Sequence, residues 1–190
     1  MPLNFTAIDF ETANRYPESP CAVGLVRVRE GKLVDGLSML FQPPGQFNWF
    51  DQGNIAIHGI RQADVDDALT YDEALGHMLA FIGDDVLIAH NAPFDMGVLA
   101  KSAKVIDVAL PAFNYTCSLE ISRKTYNLES YRLNSVAYAI GHEEFKHHDA
   151  LADADACARI IVHAAKRHGA QSVEELLEAT GKKLKVLVTE

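Results

Sequence analysis

The sequence predicts an α/β domain, a mixed five-stranded sheet with flanking helices. Two observations carry this reading: three strand-like stretches joined by turn residues come first, and short apolar runs alternating with helix-period segments follow. A length of 190 residues suits one compact domain with a sizeable core.

The run Phe5-Thr6-Ala7-Ile8-Asp9-Phe10-Glu11-Thr12 reads as a buried first strand. Residues 12–20, with Asn14, Pro17, Ser19 and Pro20, read as a loop. A second strand over 21–29 sets Val26 and Val28 against Arg27 and Arg29. Glu30-Gly31-Lys32 then turns the chain into a third strand over 33–42, giving an antiparallel meander. Residues 43–60 have no period and are expected to form a long loop. Its Phe47, Trp49 and Phe50 offer faces for stacking on a base, but packing onto the core is the expected job of at least two.

Thr70 and Glu73 form a capping box for a helix carrying Leu75, Met78, Leu79 and Ile82 and ending near Gly83. Val86-Leu87-Ile88-Ala89 is the kind of continuous apolar run that helices bury on both faces, and is expected as a parallel strand beside the first. Pro93 suits the first turn of a helix over 94–104. A short fifth strand is expected over 112–115, with helices over 118–125 and 133–140 and a polar connection over 142–148 holding His142, His147 and His148. Ala154, Ala158, Ile161 and Ala165 mark a long helix over 149–167. Ser172 and Glu175 cap a short one over 172–179, and Lys182-Lys183-Leu184-Lys185 reads as a solvated tail.

Composition narrows the function classes. Apolar residues at 48% and charged residues at 23% are ordinary for a globular chain. No run approaches the ~20 apolar residues of a membrane span, so no membrane partner and a cytoplasmic location are expected. Cys21, Cys117 and Cys157 are widely spaced among apolar neighbours and read as buried thiols. The net charge of -9 argues against a broad embrace of duplex nucleic acid. Acids that hold divalent cations nonetheless present a locally positive surface to a phosphate.

Alternation along a strand points Asp9 and Glu11 the same way, where they repel unless a cation sits between them. Asp95, in His90-Asn91-Ala92-Pro93-Phe94-Asp95, lies at the carboxyl end of the fourth strand, where ligands of α/β sheets collect; helix capping alone would also explain it. In His148-Asp149-Ala150-Leu151-Ala152-Asp153, Asp149 and Asp153 share a helix face and Asp155 faces elsewhere; Asp153 is the acid assigned to the site. His148, just before the helix, is placed to take a proton from a water, although a surface pair with His147 is the plain reading. Four carboxylates and one histidine match what two-metal hydrolysis of a phosphodiester requires, with two Mg²⁺ or Mn²⁺ ions suited to hard oxygen ligands.

Asp9-x-Glu11-Thr12, then His90-Asn91-x-x-Phe94-Asp95, then His148 with Asp153 five residues on, resembles the DEDDh family of 3′ to 5′ exonucleases, which includes proofreading subunits of DNA polymerase III, ribonuclease T and oligoribonuclease. His58-Gly59-Ile60 resembles the family's segment before its first helix. The resemblance implies a ribonuclease H-like exonuclease fold over residues 1–170, followed by a short C-terminal helix and tail over 171–190. It implies that Asp9 bridges both metals, Glu11 and Asp153 complete one site, Asp95 supports the other and His148 is the general base. Thr12, His58 and Phe94 would cradle the terminal nucleotide. The activity implied is release of nucleoside 5′-monophosphates from 3′ ends of single-stranded DNA or RNA. A DNA polymerase or repair complex is a candidate partner, and a homodimer is compatible with the family. The rival readings are an exonuclease-like module that binds nucleic acid or a polymerase without turnover, and phosphoryl transfer through an aspartyl nucleophile at Asp9.

Overall fold

The structure, a computed structural model, describes residues 2–142 and 147–188. Strands β1 (Phe5–Thr12), β2 (Pro20–Arg29) and β3 (Lys32–Leu40) form the expected antiparallel meander. A 3₁₀ turn at Gly45–Phe47 precedes α1 (Gln52–His58) and α2 (Gln62–Val65). Then come α3 (Tyr71–Ile82), β4 (Leu87–Ala89), α4 (Pro93–Val105), β5 (Phe113–Cys117), α5 (Ser118–Thr125) and α6 (Leu133–Ala139). The chain ends with α7 (Ala150–His168), α8 (Val173–Thr180) and β6 (Lys185–Leu187). Residues 143–146, the middle of the expected polar connection, lie outside the described residues.

The sheet order is β3-β2-β1-β4-β5-β6, with β4 parallel to both β1 and β5. It thus has six strands, not five. The stretch read as a solvated tail leads through Lys185 into β6, antiparallel to β5. Lys182 and Lys185 are held by Glu120, whose carboxylate lies 2.9 Å from Lys185 Nζ and 3.3 Å from Lys182 Nζ, while Leu184 and Leu187 pack against the two cores. Lysine on an edge strand also discourages further strand pairing. The second correction concerns residues 43–60, which are not one loop. Asp51 Oδ1 accepts a hydrogen bond from Gly53 N–H at 2.7 Å, and Gly59, at φ 80, ends α1 in the left-handed conformation. A seven-residue helix offers too few turns for its period to show. Phe47 and Trp49 pack against Tyr16 at 5.7 and 6.4 Å between ring centroids.

Two cores flank the sheet, and β1 alternates between them. Ile8 and Phe10 face the core shared with α3 and α4, whereas Phe5 and Ala7 face the one shared with α7 and α8. Continuing the second face by steps of two brings Asp9 and Glu11 to the α7 side. Small residues bring α7 close: Ala154, Cys157, Ala158 and Ala165 are buried along it. The approach is tightest at Gly24 of β2, which is paired across from Asp9. A methyl group added there would lie 2.1 Å from the Ala150 carbonyl oxygen and 2.3 Å from Leu151 N. Cys21, Cys117 and Cys157 are free, buried thiols, and no helix among the described residues is long and apolar enough to cross a membrane.

Gly24→Ala should therefore push the start of α7 off the sheet. Overpacking of a core costs ~1–3 kcal/mol, and more where backbone must move. Urea unfolding should show a loss of about 3 kcal/mol or more; an unchanged midpoint would contradict the close approach.

Candidate active site

The site begins where β4 gives out. This strand pairs with β1 only at Thr6/Leu87 and Ala7/Ile88, so β1 has no strand partner on that side beyond Ala7. The exposed edge is finished by a side chain: Phe10 N–H donates to Asp95 Oδ1 at 3.1 Å. Asn91, in the left-handed region at φ 74, makes the turn from β4, a conformation asparagine tolerates better than most residues. Pro93 then opens α4 and sets Asp95, which is buried, in its first turn.

The opposite wall is the start of α7. Asp149 caps the helix by accepting from Ala152 N–H at 3.3 Å, and Asp153, one turn in, is buried. His148 just before it has φ 60, a conformation that costs an L residue roughly 1–3 kcal/mol and clusters at functional sites. Its backbone N–H donates to Asp153 Oδ2 at 3.1 Å, which ties the turn to the acid. Ligand atoms of Glu11, His148 and Asp153 all lie within 4.8 Å of one another. His147 lies edge-on to Tyr138, with Nε2 3.1 Å from the Tyr138 hydroxyl, and keeps Nδ1 3.8 Å from Asp153 Oδ1. Asp155 ion-pairs with Arg159 outside the cluster.

Electrostatics make the acids one group. Burial, then the charges of Asp95, Asp153 and Glu11, drive the Asp9 carboxyl well above the usual carboxylate range. Glu11 is pushed up to about 7 by burial, then by Asp153 and Asp149. Asp95 is pushed up to about 8, chiefly by burial and against the hydrogen bond from Phe10 N–H. Asp153 is raised by burial despite the His148 N–H. Buried Asp153 Oδ1 accepts no hydrogen bond. An orphaned carboxylate oxygen within a set of hard oxygen donors fits a divalent cation, and Asp9, Glu11, Asp95 and Asp153 are the residues that could hold it.

A cleft of about 430 Å³ runs from Asp9, Glu11 and Asp153 past Thr12, Asn54, His58 and Phe94. Phe94 is 45% exposed and offers a free ring face. His58 is buried, and both its nitrogens serve the backbone: Nε2 donates to the Thr12 carbonyl at 3.1 Å, and Nδ1 accepts from Ile60 N–H at 3.0 Å. Burial also lowers its pKa, consistent with a neutral ring in these two roles. His58 therefore locks α1 to the end of β1 and gives the cleft its ring surface. Asn54, which the sequence reading passed over, does the same by donating to the Thr12 carbonyl at 2.8 Å. Gly24 was also passed over, although glycine inside an apolar strand is a usual mark of close backbone approach. His90, the first residue of the motif that ends at Asp95, is held by Ser118 Oγ, 2.7 Å from its Nδ1, and by the Tyr131 carbonyl, 2.9 Å from its Nε2.

A raised carboxyl favours the folded state below its unfolded pKa of roughly 4 and loses that contribution as pH rises through the folded value. Metal-free protein should therefore lose stability between about pH 4 and pH 8, by several kcal/mol in all. Asp9→Asn should flatten this fall, and Mg²⁺ should offset it at pH 8, both read by thermal unfolding. Parallel pH profiles for the two proteins would contradict the assignment.

A family model described as an exonuclease matches residues 6–161. The DNA polymerase III PolC-type of Thermotoga maritima is 30% identical over 163 residues, covering 83% of this chain and 12% of that one. Its namesake in Bacillus subtilis is 29% identical over 161 residues, covering 82% and 11%. The chain thus spans about an eighth of the length of these curated relatives. In fold it is similar to Exonuclease X in complex with 5′ overhanging duplex DNA, with TM-score 0.74, 24% identity and coverage of 93% of this chain and 99% of that one. It is likewise similar to the nuclease domain of 3′hExo, a DEDDh family member bound to rAMP, with TM-score 0.74, 19% identity and coverage of 87% and 92%. The chain belongs to the exonuclease family.

Proposed function

We propose that this chain is a metal-dependent 3′ to 5′ exonuclease that hydrolyses the last phosphodiester bond of single-stranded DNA or RNA and releases nucleoside 5′-monophosphates. The observation that carries it is the meeting of Asp9, Glu11, Asp153 and His148 on the wall of a cleft sized for one small ligand, with the buried Asp95 acting on Asp9 behind them. Two Mg²⁺ or Mn²⁺ ions held by Asp9, Glu11, Asp95 and Asp153 would supply neutralisation of the phosphate charge and a lower cost of ionising water. Asp9, on which the three other acids all press electrostatically, would be the acid whose charge the ions most relieve.

The remaining work falls to side chains. His148, exposed beside Glu11 and Asp153, receives the proton as water attacks phosphorus, while the P–O3′ bond to the penultimate nucleotide breaks and that oxygen takes a proton from solvent. Thr12, His58 and Phe94 wall the terminal nucleotide, with Phe94 against the base. Single-stranded 3′ ends are the partner this site needs. The PolC-type relatives, in which the matching segment is a small part of a polymerase chain, support a polymerase as the source of such ends.

A 5′-labelled oligonucleotide incubated with Mg²⁺ should shorten stepwise from its 3′ end. Asp9→Ala should abolish the ladder, and His148→Ala should slow it by roughly 10²- to 10⁴-fold. Oligonucleotide that binds and is not shortened, or a ladder undiminished in both variants, would overturn the reading.

A further inference from the structure

A side chain that takes a proton in catalysis is ordinarily oriented by a hydrogen bond to a further group. The His148 imidazole is exposed and makes no such bond among the described residues; only its backbone N–H is engaged, by Asp153 Oδ2. The direction of the ring is therefore set by the backbone. That backbone stands at φ 60, a conformation that an L residue keeps only where its surroundings enforce it.

The bond to Asp153 fixes one side of this turn, and the other side is His147, whose ring is gripped from outside the site. Tyr138 Oη lies 3.1 Å from His147 Nε2, and the two rings meet edge-on with centroids 6.0 Å apart. On its inner side the His147 ring faces His148, with centroids 6.4 Å apart, and keeps Nδ1 3.8 Å from Asp153 Oδ1. It cannot rotate without breaking one of these contacts.

Tyr138 is itself a fixed point. It lies in the last turn of α6, whose Val136 and Ala137 share a small buried core with Ala156 and Ile160 of α7. The end of α6 is closed by Gly141 N–H, which donates to the Tyr138 carbonyl at 3.0 Å, and by His142 N–H, which donates to the Ala137 carbonyl at 2.9 Å. Core packing does not account for the tyrosine side chain, since the residue is 48% exposed. Nor does Tyr138 line the cleft.

We propose that Tyr138 is a positioning residue for His148: by holding the His147 ring, it keeps the turn at 147–148 in the strained conformation that presents the His148 imidazole to Glu11 and Asp153. The inference rests on the exonuclease reading of the site and adds to it a residue that substrate does not touch.

The test is the kinetics of shortening of a 5′-labelled oligonucleotide with Mg²⁺. Tyr138→Phe, which keeps the ring and loses the hydroxyl, should lower kcat by about three- to tenfold, the share of one hydrogen bond, and leave KM unchanged. Tyr138→Ala, which loses the ring contact as well, should lower kcat further. In a His148→Ala background each substitution should change kcat by less than about twofold, because no base is left to position. Unchanged kcat in both single variants, or the same fold loss with and without His148, would overturn the proposal while stepwise shortening by the unaltered protein still supports the exonuclease reading. No shortening by the unaltered protein would overturn both.

Discussion

Repulsion among Asp9, Glu11, Asp95 and Asp153 is the constraint around which this fold is arranged. Each carboxyl is raised by burial and by its neighbours, so the fold must hold the four together against a force that would separate them. It does so from three directions. Alternation in β1 aims Asp9 and Glu11 at α7, the early end of β4 opens a gap that Asp95 closes through Phe10 N–H, and α7 brings Asp153. Without a counter-charge this arrangement costs stability, and such a cost is usual at sites built for function.

Close packing sustains the arrangement. Gly24 lets the first turn of α7 rest on β2 directly behind Asp9, and alanines along α7 keep the helix near the sheet. The same turn holds His148 at φ 60 and ties its N–H to Asp153. Backbone strain at His148 and the placing of Asp153 are thus features of one short segment. A disturbance of the helix start would reach both.

Much of this was legible in the residues. The meander, the parallel β4, and the caps at Thr70 and Ser172 follow from alternation, apolar runs and side chains that accept from free helix N–H groups. The acids were legible because ordered spacing ties them to strand and helix ends. What escaped depended on distant partners. β6 becomes a strand because Glu120 pairs with Lys182 and Lys185 at its start and two cores accept Leu184 and Leu187. The roles of His58 and Asn54 arise from the Thr12 carbonyl, more than forty residues away in sequence. For His147 and His148 the backbone decided: adjacent in sequence, one leans on Tyr138 and the other joins Glu11 and Asp153.

The most direct test of the central claim is a proton count on metal binding. If burial and mutual repulsion hold some of these carboxyls protonated near neutrality, a divalent cation must displace those protons. Calorimetric titration of Mn²⁺ into metal-free protein at pH 7, in buffers of differing ionisation enthalpy, should show release of about one to two protons per chain, and fewer as the pH is raised above 8. Binding with no proton release at pH 7 would contradict the account.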